Sequence, residues 1–169
     1  IYVNENCYDN NQKNKSDSKR IFIQTTQPMH DIEERKDVFL LVSTFYSKIR
    51  KDERLGPIFN GALTTEEIWD EHLEKLTDFW ETNLFGVIKF KGNPMMAHKK
   101  VDKSNNYSIT QDDFHQWLMI WNTTVDSLFA GFRANSAKEK ARRMATHLFV
   151  NVWKNKPENL PDEQAGLTE

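Results

Sequence analysis

The sequence predicts an all-α fold, and three observations predict it. Apolar residues recur at intervals of three and four in separate stretches, the spacing of one helix face. Residues suited to cap a helix N-terminus stand just ahead of several of these stretches. No segment alternates apolar and polar residues over a strand's length with turn residues at its ends.

Taken in order, the first stripe is Val38, Leu41, Val42, Phe45, Tyr46 and Ile49, with Asp31 as its candidate cap and Gly56-Pro57 closing the region. The second is Ile68, Trp69, His72, Leu73, Leu76, Phe79 and Trp80, opened by Thr64 and Glu67 at capping-box spacing. Asn93-Pro94 reads as an N-cap followed by proline at the first helical position, which starts a short helix through Lys100. Thr110 with Asp113 opens a fourth helix whose stripe is Phe114, Trp117, Leu118, Trp121, Val125, Leu128, Phe129 and Phe132, with Gly131 near its end. A last stripe, Ala137, Ala141, Met144, Ala145, Leu148 and Val152, runs until Pro157 forbids more helix. Four main helices and one short one are expected.

These elements fall within residues 29–156, the expected ordered domain. Residues 1–28 are mostly Asn, Lys, Ser, Asp and Gln around a brief apolar patch, Ile21–Ile23, and read as a flexible polar tail. Residues 157–169 carry two prolines and no periodicity, and read as a second tail. The 169 residues suffice for one domain with a core. A formal net charge of −2 gives no sign of a nucleic-acid partner. No apolar run approaches the roughly 20 residues that span a bilayer, so no membrane partner is expected. The single cysteine, Cys7, rules out an intrachain disulfide. With no apolar signal core at the start, the expected location is cytoplasmic. Eleven Phe, five Trp and four Tyr are many for so polar a chain: they fill a core or line a pocket for a large apolar ligand.

Three polar-tipped side chains interrupt the apolar stripes: Tyr46, His72 and Trp117, each from a different helix. Singly, such residues most often bury a ring and find a local partner for the polar atom. Together they place several donors where three helices could meet. His98 stands apart, on a short helix with only Met95, Met96 and Ala97 ahead of it. His30, His115 and His147 have no partner pattern. The chain lacks a His-Glu-x-x-His zinc motif, paired Glu-x-x-His motifs and a glycine-rich phosphate loop. The run Lys138–Arg143 reads as a solvated helix face.

Four blocks carry a family resemblance: FYSKIRKDERLGPIF (45–59), WDEHLEKLTDFWET (69–82), GNPMMAHKK (92–100) and FHQWLMIWNTTVDSLFAG (114–131). In order and spacing the chain resembles the truncated haemoglobins, bacterial globins of the two-on-two type, and within them group III, also called P. The absence of Gly-Gly pairs, a histidine at position 72 and a tryptophan at position 117 favour that group. The resemblance covers about residues 31–154 and implies a truncated globin fold, a two-on-two helical sandwich around haem b. It implies His98 as the iron ligand and Tyr46, His72 and Trp117 on the distal side. Phe59, Leu76, Phe79 and Met95 are implied against the haem, and Lys75 beside a propionate.

The sixth iron position would then take O2, CO, NO or cyanide. A tyrosine hydroxyl and an indole N–H suit the partial negative charge of bound O2. Each hydrogen bond to such a charge is worth roughly 1.5–3 kcal/mol. Slow O2 release fits O2/NO or peroxide redox chemistry better than transport. The sequence shows no reductase domain, so such a cycle is expected to draw on an external reductase. No catalytic residue is assigned, and enzymatic activity of an NO-dioxygenase or peroxidase kind stays open. A gas or redox sensor acting through a partner protein is the alternative, and a haem-free helical interaction module the third reading.

Overall fold

The structure, a computed structural model, describes residues 29–159; both expected tails, Cys7 included, lie wholly or mostly outside that range. The described residues form six α-helices and no strand. They are α1 (Arg35–Ile49), α2 (Gly56–Ala62), α3 (Glu66–Phe85), α4 (Pro94–Ser104), α5 (Gln111–Leu128) and α6 (Phe132–Lys154), followed by a 3-10 turn at Pro157–Asn159.

α1 packs against α3 and α5, and α6 packs against α5, α4 and α3. The α1 stripe is buried along its whole length, from Val38 to Ile49. It meets Trp80, Trp121 and Val125 in a core that continues through Ala134, Ala137 and Ala141 of α6. The alanines let α6 approach closely. Three indoles run through this core: Trp80 stacks on Trp121 with centroids 4.3 Å apart, and Trp121 lies parallel to Trp117 at 5.8 Å. Polar ties fix the helix pairs at their edges. Arg35 reaches from α1 to Glu74, Asp78 and Glu81 of α3 at 2.7, 2.6 and 2.5 Å, and Lys48 donates to Thr124 of α5 at 3.0 Å.

Several local expectations are corrected. Gly56-Pro57 does not close a helical region but opens α2, because proline lacks only an N–H that a first turn leaves unpaired. Gly56 lies where a Cβ would meet the Arg50 carbonyl oxygen at 2.9 Å. The cap of α3 is Thr65, which accepts from the Ile68 N–H at 3.4 Å, one residue later than expected. Ile68 and Phe132, both counted in apolar stripes, are exposed. α4 continues to Ser104, a turn beyond Lys100.

Asp31 does not cap α1. That role falls to Glu34, in a reciprocal box with Asp37. Asp31 instead accepts the N–H groups of Arg133 and Ala134, both at 2.8 Å, and so caps α6 from about a hundred residues away. Gly131 makes this possible: its φ is +149°, and a Cβ there would lie 2.4 Å from the Asp31 Cγ. Asn93 and the Thr110–Asp113 box cap α4 and α5 as the sequence indicates.

Candidate functional site

α4 packs on α6 but stands away from α3, and a cavity of about 480 Å³ opens between α3, α4 and α5, closed at one end by α1 and α2. That volume lies within the range of cofactor sites. Helical spacing decides what faces it. Pro94, Ala97, His98 and Val101 of α4 are one stripe, as are His72, Lys75, Leu76 and Phe79 of α3, and Phe114 with Trp117 of α5.

His98 is held by its own helix. Its Nδ1 lies 2.7 Å from the Pro94 carbonyl oxygen, an acceptor only, so Nδ1 carries the proton. The lone pair is thereby assigned to Nε2. Pro94 opens α4 one turn before His98, which places its carbonyl on the same face, within reach of the ring four residues on. Phe114 lies alongside the imidazole, centroids 6.2 Å apart. Burial lowers the pKa of His98 while the Pro94 bond opposes the shift. Burial thus favours the neutral ring.

Tyr46, His72 and Trp117 share this cavity. Tyr46 stands edge-on to His72 at 5.3 Å and to Phe59 at 5.7 Å. Its hydroxyl is driven well above the usual phenol range by burial, against the pull of the Trp117 indole beside it. It stays protonated, a donor. His72 is pushed down to about 4, first by burial, then by the charge of Lys75, and last by the nearby His98. Its Nε2 is buried with no hydrogen-bond partner, an arrangement that costs free energy unless something in the cavity completes it.

No family model matches the chain. A group 3 truncated haemoglobin of Campylobacter jejuni is 31% identical over 121 residues, which span 71% of this chain and 91% of the relative. The chain belongs to the group III truncated haemoglobins. A crystal structure of a group III truncated haemoglobin from Campylobacter jejuni matches with a TM-score of 0.67 at 28% identity, covering 75% of this chain and 96% of the other. The six helices are therefore a truncated globin fold.

In this truncated haemoglobin, Phe59, Leu76, Phe79 and Lys75 also line the cavity, Lys75 at its exposed rim beside Glu71 at 3.5 Å. Met95 does not. It lies about 100° around α4 from Pro94, and its carbonyl accepts from Asn151 of α6. It lines a separate depression with Lys140, Arg143 and His147. Sequence reasoning missed Phe90, Phe114 and Lys91 as lining residues. Phe114 carried a signal, three residues before Trp117 on one stripe. Phe90 and Lys91 precede α4 without periodicity, and Phe90 is placed by packing edge-on against Phe79 at 5.1 Å. Among the described residues no three His, Cys, Asp or Glu side chains gather as a metal site, and no helix is long and apolar enough to cross a membrane.

Proposed function

We propose that this chain binds haem b in the cavity and acts on diatomic ligands there, in redox chemistry of the O2/NO or peroxide kind rather than in transport. The observation that carries the reading is the pairing across one apolar cavity of a His98 ring with its Nε2 lone pair free and a His72 Nε2 left without a partner.

The residues suit the group. The lining is mainly apolar, as a porphyrin face requires, and Lys75 and Lys91 stand at the exposed rim, where carboxylates would sit. Haem would be held by the His98 imidazole and would supply an iron able to bind small diatomic ligands and to exchange electrons. The remaining work belongs to the chain. His98, fixed through Nδ1 by Pro94, provides the ligand in one tautomer and one orientation. Tyr46 donates its hydroxyl proton to a small ligand carrying negative charge, and Trp117 is the second donor. His72, neutral, either donates as a third or swings as a gate over the space. Phe59 closes the cavity beside Tyr46, and Trp69 backs the Tyr46 ring from behind the lining.

Purified protein reconstituted with hemin is expected to show a Soret band, and His98→Ala to lose it or to regain it only with added imidazole. A chain that takes up no hemin would sink the proposal. Location in the cytoplasm is part of the same proposal.

A further inference from the structure

We propose that the outer face of α4 is the docking surface for an acidic electron-transfer protein. The inference rests on the haem reading above and names the class of partner that would supply its electrons.

Charge is sharply divided in this near-neutral chain. Between Gly86 and Gln111 there are five lysines and one acid, Asp102. Asp102 is buried beneath Ile109 and Lys156 and presents no charge outward. Lys89 is engaged by Glu81 at 2.8 Å. Lys91, Lys99, Lys100 and Lys103 enter no ion pair among the described residues. By contrast, α3 carries seven carboxylates against the single Lys75.

The same helix divides by face. Pro94, Ala97, His98 and Val101 look into the cavity, whereas Met96, Lys100 and Lys103 are exposed on the opposite stripe. Met96, 57% exposed, adds an apolar side chain one turn before Lys100 on the same stripe. The cavity itself reaches the surface at the start of this helix, where Lys91, Gly92, Asn93 and Ala97 both line it and are exposed. A protein resting on α4 therefore lies about one helix diameter, ~10 Å, from the cavity.

The chemistry requires such a partner. Redox turnover consumes electrons that the side chains of the described domain do not supply. In the docked pair one electron leaves the partner's reduced centre and the haem iron goes from ferric to ferrous; no bond or proton moves in that step. Unpaired lysines beside an exposed methionine recognise an acidic surface, and steering between opposite charges raises association rates by 10- to 1,000-fold in a salt-dependent way.

The test uses the hemin-loaded full chain and a reduced acidic [2Fe–2S] ferredoxin as probe, mixed anaerobically in a stopped-flow instrument. Reduction of the ferric protein is expected to slow at least tenfold with rising salt and at least tenfold in Lys100→Glu/Lys103→Glu, while Lys51→Glu behaves as wild type. Reduction by dithionite, a small anion that needs no docking, is expected to change far less in the double variant. Equal slowing with dithionite would assign the effect to the haem rather than to docking and overturn the proposal. So would ferredoxin rates indifferent to salt and to the double variant. Binding to phosphatidylglycerol vesicles that the double variant abolishes, without salt-dependent reduction, would assign the face to a lipid surface and likewise overturn it. A chain that takes up no hemin overturns both readings; a loaded chain that fails the ferredoxin arms overturns this one alone.

Discussion

At the scale of the residue, the ionisation states around the cavity make two predictions. Tyr46 is a donor at all ordinary pH because burial opposes its ionisation. Loss of a hydrogen bond to a charged group costs roughly 1.5–3 kcal/mol, and each 1.4 kcal/mol is tenfold. Tyr46→Phe is therefore expected to speed O2 release by about ten- to a hundredfold, with Trp117→Phe in the same direction. Stopped-flow release rates unchanged in both variants would remove them from the ligand's surroundings. His72 has a folded-state pKa lowered to about 4 from 6.5. As pH falls through that window the unfolded chain takes up a proton that the folded chain refuses, so stability is complete above about 6.5 and is lost toward 4. Urea midpoints of the wild type are expected to fall more steeply over this range than those of His72→Leu. Sequence showed which residue types stood on which stripe, and hence Tyr46, His72 and Trp117. It could not show the absent partner of His72 Nε2, because an unmet hydrogen bond is a property of everything around the atom.

At the scale of the element, caps explain where the sequence succeeds and where it misleads. The Asn93-Pro94 and Thr110–Asp113 signals work because the capping side chain and the N–H it meets are three residues apart. Asp31 misleads because the same chemistry is spent on α6, a partner that no local window contains. α2 was missed for a related reason: seven residues give too few turns for a periodicity, and only Gly56 is buried. Asp31→Ala is expected to cost about 1–2 kcal/mol, the range for loss of a helix cap, seen as a lower midpoint in chemical denaturation. The loss should be matched by Gly131→Ala, which brings a Cβ against the same carboxylate. If both variants unfold as wild type does, the long-range cap contributes nothing.

At the scale of the whole molecule, the cavity is what the helices leave when α4 packs on α6 and not on α3. That vacancy was legible only through the family blocks, since periodicity gives faces and not the angles between helices. A ligand that binds only the folded chain adds about 2.7 kcal/mol at a hundred times its Kd. Hemin is therefore expected to raise the Tm by roughly 5–10 °C at the ~2–4 °C per kcal/mol of domains this size, and a Tm indifferent to hemin would deny the cavity an occupant. One feature of the core acquires a further meaning from its position. The stacked indoles of Trp80, Trp121 and Trp117 cross the core, and both end rings, Trp80 and Trp117, stand in the cavity wall. Three of the five tryptophans thus stand in one stack whose two end rings line the cavity. Tryptophan emission is therefore expected to respond to whatever fills the cavity, an optical probe that the fold has already installed.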